Sequence, residues 1–172
     1  MSKDSDIDFR EPRLEDAPKI FELVKDSPPL DVNSEYLYIL ICHHFSKSSV
    51  VALDGSKVVG MIAGYLPPQK QDTLFIWQVV ADKNYRKMGL AQKMAKNILS
   101  REYCDDVKYI EATVTPSNIP SRKFFESLAE ETNGSFSINP LFTKEHFSSS
   151  HEPEDLIKIG PIQIRLEVTT SR

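Results

Sequence analysis

The stretch Val79-Val80-Ala81-Asp82-Lys83-Asn84-Tyr85-Arg86-Lys87-Met88-Gly89-Leu90-Ala91 decides the fold, because an apolar strand ends in Arg-x-x-Gly-x-Ala where a helix must begin. Apolar residues recur at three- and four-residue spacing from Leu90 onward, which predicts an amphipathic helix. Backbone N–H groups from Lys87 to Ala91 would face outward at its start, where unpaired donors and the positive dipole end attract an anion such as pyrophosphate. Gly89 allows that anion a close approach. An ordinary strand-to-helix turn would explain the motif equally well, so other residues must decide.

Composition points to one globular domain with a small cationic substrate. The chain has 172 residues, 40% of them hydrophobic and 27% charged, which suits a single domain with its own core. We expect that core over residues 7–161, and residues 162–172 to be an edge strand or a flexible tail. The net charge of −4 disfavours nucleic acid and anionic membranes as partners.

Cysteine content and hydropathy indicate a cytoplasmic protein. Only Cys42 and Cys104 occur, and they form neither a disulfide framework nor a metal-binding pattern. We therefore expect a reducing compartment and no bound metal. No apolar run reaches the roughly eighteen residues that span a bilayer, and the first six residues are polar, so we expect neither membrane insertion nor secretion.

Hydrophobic periodicity predicts an α/β fold in which strands and helices alternate around one sheet. A helix from Tyr36 to Phe45 is apolar nearly all round, so we expect it to be buried on more than one side, with a second subunit as one candidate cover. The other predicted helices are a stripe from Leu14 to Val24, one from Leu90 to Leu99 and one from Ser121 to Glu131. The predicted strands are Ile7 to Arg10, Ser49 to Leu53, Lys57 to Leu66, Leu74 to Ala81, Tyr109 to Val114, Phe136 to Ile138, Leu156 to Ile159 and Ile162 to Val168.

The motif Arg86-x-x-Gly89-x-Ala91 resembles the coenzyme A signature of the GCN5-related N-acetyltransferases, and Thr113-Val114-Thr115-Pro116-Ser117-Asn118 resembles a second landmark of that family. The resemblance implies a mixed, mostly antiparallel sheet flanked by helices and splayed between its fourth and fifth strands. The pantetheine arm of acetyl-CoA would lie in that gap, with backbone N–H groups near Val79 to Ala81 polarising the thioester carbonyl. The coenzyme-binding residues implied are Val79, Val80, Ala81, Arg86, Lys87, Met88, Gly89, Leu90, Ala91, Asn118 and Phe125.

Further motifs resemble the L-2,4-diaminobutyrate acetyltransferases of ectoine biosynthesis. These motifs are Leu30-Asp31-Val32-Asn33-Ser34-x-Tyr36, Phe75-Ile76-Trp77-Gln78-Val79, Glu111-x-Thr113 to Asn118, His151-Glu152 and Ile159-Gly160-Pro161. This resemblance implies acetyl transfer from acetyl-CoA to the 4-amino group of L-2,4-diaminobutyrate, and a homodimer. Two alternatives remain: an N-acetyltransferase for another small diamine or amino acid, and a module that senses acetyl-CoA without catalysis.

The chemistry of a diamino acid calls for carboxylates in the site. An amine with a lysine-like pKa of about 10.4 is free in only about one molecule in 10³ at pH 7, which costs about 4 kcal/mol without help. Asp31 and Glu111 are the candidates for catalysis, since a carboxylate can hold an ammonium group and accept its proton. Alternatively, Asp31 is a helix N-cap and Glu111 a solvated or paired strand carboxylate.

The remaining candidates for substrate contact rest mainly on the resemblance. Trp77 would wall the site or pack in the core, and Tyr36 would contact substrate, the core or both. Thr113, His151 and Glu152 are further candidates, although a surface role is the ordinary one for the last two.

One position departs from the wider family. Many of its members carry a tyrosine seven residues after the asparagine, where it protonates the leaving thiolate, but this chain has Phe125. Phenylalanine cannot donate a proton. Tyr85, Ser117 or water could replace it, or the thiolate leaves unaided, since its pKa is near about 8.5.

Overall fold

Residues 6–163, the part of the chain that the computed structural model describes, form seven strands and four α-helices around a single sheet. Their bounds are β1 Ile7–Arg10, α1 Ala17–Lys25, α2 Glu35–His44, β2 Val50–Asp54, β3 Lys57–Tyr65, β4 Thr73–Ala81, α3 Leu90–Leu99, β5 Tyr109–Val114, α4 Ile119–Glu131, β6 Phe136–Phe142 and β7 Glu154–Ile159.

The sheet runs in the order β1-β2-β3-β4-β5-β7-β6. Only β4 and β5 pair in parallel, and every other pair is antiparallel. The predicted α/β fold with a mixed, mostly antiparallel sheet is confirmed.

Two hydrophobic clusters lie on opposite faces of this sheet. One joins α1 and α2 to β2 and β3 and includes Tyr38 and Met61. The other joins α3 and α4 to the middle of the sheet and includes Met94, Leu128 and Ile110. The strands β2, β3 and β4 therefore contribute residues to both cores, which explains the long apolar runs of β3 and β4.

The fourth and fifth strands part soon after they begin. Their pairing covers only three positions, from Thr73 opposite Tyr109 to Phe75 opposite Glu111. Beyond these positions β4 stays with β3 and β5 stays with β7. The β3–β4 register also shifts by one residue, so that Trp77 is the extra residue of a bulge, and a bulge bends its strand. The predicted splay between the two strands is therefore present.

The end of β1 is fixed to the turn before α1 by a partly buried ion pair. The Arg10 guanidinium donates to both carboxylate oxygens of Asp16, at 2.7 and 3.0 Å, and the Arg13 backbone N–H adds a third bond of 2.7 Å. Burial works to raise the pKa of Asp16, but these three bonds outweigh it and the pKa is lowered.

One predicted strand boundary was wrong, and one expectation about helix burial stays open. The sixth strand does not stop at Ile138 but continues through Pro140 to Phe142, because an edge strand tolerates proline's missing N–H. The second helix is buried on one side in the single chain, where Tyr36 and Ile39 are 67% and 42% exposed; its expected burial on a further side, with a second subunit as the candidate cover, stays a prediction.

The predicted strand from Ile162 to Val168 falls mostly outside the described residues. Ile162 and Gln163 belong to no strand, and the prediction for residues 164–172 lies beyond the described range. No helix within residues 6–163 is long and apolar enough to cross a membrane.

Candidate active site

The turn between β4 and α3 has the backbone shape that an anion site requires. Lys87 and Gly89 both adopt left-handed conformations, with φ of 67° and 68°, and α3 begins directly afterwards at Leu90. Within residues 6–163, no side chain caps this helix start. A Cβ placed on Gly89 would meet no other atom within 4 Å. The helix dipole and the first N–H groups therefore face open space.

Close packing fixes α3 against the sheet behind this turn. A Cβ on Gly60 of β3 would lie 3.0 Å from Leu90 Cδ2 and 3.1 Å from the Met94 side chain. Glycine at this position therefore lets the first two turns of α3 lie directly on β3. The positive end of the helix is thus held at the carboxyl end of β4.

Backbone donors line the gap between β4 and β5. The Asp82 N–H donates to Val59 O at 2.8 Å, toward β3. N–H groups alternate sides along a strand, so that of Val80 also points toward β3. Those of Val79 and Ala81 then point away from β3, into the gap, where a carbonyl oxygen could accept from them.

Glu111 lies at the last paired position before the strands part. Its neighbours Ile110 and Ala112 belong to the core beneath α3 and α4, so its side chain is on the opposite face, which carries α1 and α2. Glu111 is only 5% exposed, and Lys70 Nζ lies 3.0 and 3.1 Å from its two carboxylate oxygens. Glu111 is therefore a paired strand carboxylate.

The loop before α2 is attached to β4 through Gln78. The Tyr38 hydroxyl donates to Gln78 Oε1 at 3.0 Å, and Gln78 Nε2 donates to the backbone oxygen of Asp31 at 3.0 Å. Ser34, and not Asp31, caps α2 by accepting from the Leu37 N–H. The helix-capping alternative for Asp31 is therefore wrong, and its carboxylate is free to face solvent.

Two aromatic candidates are exposed in the single chain. Trp77 is 40% exposed at the β4 bulge, and Tyr36 is 67% exposed in the first turn of α2. The alternative for both residues was packing in the core. Neither side chain is buried in the core of the single chain.

Thr113, His151 and Glu152 meet at the carboxyl end of β5. Thr113 Oγ1 donates to the Glu154 carboxylate, and His151 Nε2 lies 4.0 Å from that same carboxylate. Ser117 Oγ donates to the Glu152 carboxylate. Thr113 and His151 therefore share the Glu154 carboxylate, while the Glu152 carboxylate is held separately by Ser117.

The His151 ring is held from two further sides. It stacks on Phe147 with centroids 4.1 Å apart, and its Nδ1 contacts the backbone oxygen of Glu152. A backbone oxygen can only accept, so Nδ1 carries a proton and Nε2 faces Glu154.

Asn118 and Phe125 occupy different surroundings on α4. Asn118 Oδ1 accepts from the Ser121 N–H at 3.2 Å and so caps the helix, which leaves its amide donors available. Phe125 is 3% exposed and packs edge-on against Phe124 within the α3–α4 core.

Both hydroxyls considered as thiolate proton donors are engaged. Tyr85 donates to Asp54, and that bond raises the pKa of Tyr85. Ser117 donates to Glu152. A role as acid for either residue would require its present hydrogen bond to break.

Sequence reasoning missed three residues that organise this region, namely Gln78, Lys70 and Glu154. Gln78 is beside Trp77 on β4, where a polar residue in an apolar strand was a usable signal. Glu154 follows His151 by three residues but precedes the predicted start of its strand. Lys70 lies in a polar loop, and nothing in the sequence indicates which carboxylate it reaches.

A cavity of about 720 Å³ lies elsewhere, between α1, the β2–β3 turn and the end of β4. Three lysines and three carboxylates line it, and none of the candidate substrate residues does. Asp82 and Lys83 belong to it, yet Lys57 already neutralises Asp82 at 2.8 Å. The β4–β5 gap, by contrast, begins at the buried Glu111 carboxylate, opposite Phe75, and runs along β4 toward the turn before α3.

A parted β4–β5 pair, an open helix start and backbone donors in the gap define an acyl-coenzyme A site. The chain belongs to the acetyltransferase (GNAT) family, whose family model matches residues 17–129. This match confirms the expected family and, with it, acetyl-CoA as cosubstrate.

Among its relatives, the chain is similar to the L-2,4-diaminobutyric acid acetyltransferase of Marinococcus halophilus, with 41% identity over 156 residues that cover 90% of each chain. The enzyme of the same name from Halalkalibacterium halodurans is 39% identical over 92% of this chain and 84% of its own.

Among solved structures, the diaminobutyrate acetyltransferase EctA from Paenibacillus lautus, in complex with L-2,4-diaminobutyric acid and coenzyme A, superposes with a TM-score of 0.86 at 33% identity, over 91% of this chain and 96% of that one. The resemblance inferred from the sequence motifs is confirmed.

Proposed function

We propose that this protein transfers the acetyl group of acetyl-CoA to the 4-amino group of L-2,4-diaminobutyrate, giving N4-acetyl-L-2,4-diaminobutyrate for ectoine synthesis. The observation that carries the proposal is the position of Glu111, a buried carboxylate on the α1–α2 face at the point where β4 and β5 part. An amine held there faces the end of a coenzyme arm in the gap. The likeness to relatives named for this activity supports the choice of amine.

In this proposal the coenzyme lies along the open edge of β4. Its pyrophosphate binds the N–H groups from Lys87 to Ala91, with Arg86, Met88 and Leu90 shaping the turn. The pantetheine arm fills the gap, where the Asn118 amide donates to it. The Val79 and Ala81 N–H groups stabilise negative charge on the thioester oxygen. Val80 and Phe125 support the arm from the two cores in which they are buried.

The acceptor enters from the face that carries α1 and α2. Glu111 binds the ammonium group that will react and takes its proton, which recovers part of the roughly 4 kcal/mol cost of deprotonation. Asp31 holds the retained 2-ammonium group, while Trp77 and Tyr36 wall the site. Thr113, His151 and Glu152 close it at the end of β5.

The proposed reaction balances without a further reactant. The free amine forms a C–N bond to the thioester carbonyl, the C–S bond breaks, and coenzyme A leaves as a thiolate with a pKa near about 8.5. The amine's second proton reaches that thiolate through water. This route needs no tyrosine at position 125.

We also propose a cytoplasmic homodimer. Both cysteines are buried free thiols, which suits a reducing compartment. Tyr36 and Ile39 expose apolar surface on α2, which a second copy would cover. Sedimentation equilibrium tests the dimer, and a monomer at micromolar concentration would contradict it.

The experiment mixes purified protein with acetyl-CoA and L-2,4-diaminobutyrate, follows thiol release, and identifies the product by NMR. Lysine, ornithine and a reaction without amine are the controls. Acetylation at N4 is expected. Turnover with another amine only would keep the fold and discard the substrate, and coenzyme binding without any thiol release would favour a sensor.

A further inference from the structure

The Lys70–Glu111 ion pair joins a buried carboxylate to an exposed lysine. The Glu111 side chain is 6% exposed, whereas that of Lys70 is 52% exposed. Burial of the carboxylate costs free energy whether or not substrate is present, whereas the lysine side chain keeps about half of its surface in water. Lys70 can therefore move fully into water at little cost, whereas Glu111 would be left as an unpaired buried charge and needs another cation.

The backbone that carries Lys70 is fixed, so only its side chain has to move. Lys70 N–H donates to Pro67 O at 2.9 Å, and Thr73 N–H donates to Lys70 O at 3.0 Å. A lysine side chain changes rotamer within nanoseconds. Lys70 can thus release Glu111 without any opening of this loop.

A second lysine beside Glu111 does not share this role. Lys158 lies opposite Glu111 in the β5–β7 register, but its ammonium is directed over the Tyr109 ring, 4.4 Å from the centroid. Among residues 6–163, Lys70 is the lysine that forms an ion pair with Glu111. Lys158 is therefore a matched control of the same type on the neighbouring strand.

We propose that Lys70 is a stand-in for the substrate's ammonium group, neutralising Glu111 in the resting enzyme and exchanging with the acceptor amine on binding. This inference rests on the proposed function. Lysine and a diamino acid present the same primary alkylammonium, so the exchange leaves the buried carboxylate paired before and after. Acetylation turns that ammonium into a neutral amide and leaves one of its protons on Glu111. Once that proton has passed to water, Lys70 pairs again with the Glu111 carboxylate and displaces the product.

The test measures the KM for L-2,4-diaminobutyrate in Lys70→Met, Lys70→Arg and Lys158→Met. Lys70→Met removes the competing cation, so we expect its KM to fall about three- to tenfold, the strength of a half-exposed charged pair. Lys70→Arg keeps a cation and should stay near wild type, and Lys158→Met should change the KM less than twofold. Melting temperatures verify that each variant folds.

A KM for Lys70→Met that is unchanged or raised overturns the inference. If the KM rises for L-2,4-diaminobutyrate but not for 1,3-diaminopropane, which lacks the carboxylate, then Lys70 binds the substrate carboxylate instead.

Calorimetry with n-propylammonium gives a readout that needs no turnover. Tighter binding to Lys70→Met than to wild type supports the exchange, and equal or weaker binding refutes it. Absence of turnover in the wild type would count against the proposed function alone.

Discussion

Comparing Gly89→Asn with Gly89→Asp measures how strongly one negative charge at the β4–α3 turn opposes the binding of pyrophosphate. Gly89 has a φ of 68° and open space beside it. Asparagine and aspartate both tolerate left-handed backbone and have nearly the same shape. Backbone strain and steric obstruction therefore cancel between the two variants, and one negative charge distinguishes them.

The size of that difference follows from Coulomb's law. The repulsion between a carboxylate and a phosphate charge about 5 Å away weakens binding by about 1 kcal/mol in a water-like dielectric. At an effective dielectric of about 20 it weakens binding by about 3 kcal/mol. The Kd for coenzyme A should therefore be about 5- to 150-fold weaker in Gly89→Asp than in Gly89→Asn. The ratio should shrink at 1 M salt, where the Debye length is only about 3 Å.

Calorimetry with coenzyme A measures both constants, and acetyl-pantetheine is the control ligand. It keeps the arm but lacks the pyrophosphate, so its affinity should be the same in the two variants. Equal Kd values for coenzyme A in the two variants would refute the placement of the pyrophosphate at this turn.

Three further predictions concern the acceptor side, acid stability and the thiols. Asp31→Asn should raise the KM for L-2,4-diaminobutyrate about tenfold in steady-state kinetics and leave the Kd for coenzyme A unchanged; a shift in the latter would contradict the assignment. Asp16→Asn should lose about 2–3 kcal/mol of unfolding free energy at pH 7 in urea titrations, whereas exposed Glu15→Gln should lose almost none. The folded-state pKa of Asp16 is lowered, so its contribution is complete above the unfolded value near 4 and is lost as pH falls through the folded one. Burial raises the pKa of Cys42 to about 12 and that of Cys104 to about 11, so a disulfide reagent at pH 8 should titrate no thiol until the protein unfolds.

The fold was largely predictable because its signals are local. The strand Tyr109–Val114 has the predicted bounds, and β4 begins one residue earlier than expected. Prediction failed where tertiary context overrides a local rule. Pro140 reads as a strand terminator, yet it continues β6 because that strand has a free edge.

The site was predictable in its members but not in their connections. Strand alternation places Glu111 opposite Ile110 and Ala112, and the structure agrees. Its pairing with Lys70 depends on the path of a loop and on a lysine rotamer, and no periodicity encodes either. The same holds for Glu154 of β7, whose carboxylate accepts a hydrogen bond from Thr113 on the neighbouring strand β5.

Burial separates the two carboxylates proposed for the acceptor. Glu111 is 5% exposed, so an ammonium paired with it is shielded from water. Asp31 is exposed in the single chain, and an exposed ion pair contributes only about 0.2–1 kcal/mol. That is less than one factor of ten in affinity, too little to select a diamino acid over a simple amine.

Selectivity at Asp31 therefore requires that water be excluded from the α2 side of the site. On α2, Tyr36 and Ile39 are exposed by 67% and 42%, which is apolar surface of the kind that a second copy of the chain would cover. Covering it would lower the local dielectric around Asp31 and strengthen the ammonium pair several-fold. The proposed homodimer and the proposed choice of substrate thus have one physical cause, and a monomeric variant should lose discrimination between L-2,4-diaminobutyrate and simple amines before it loses coenzyme binding.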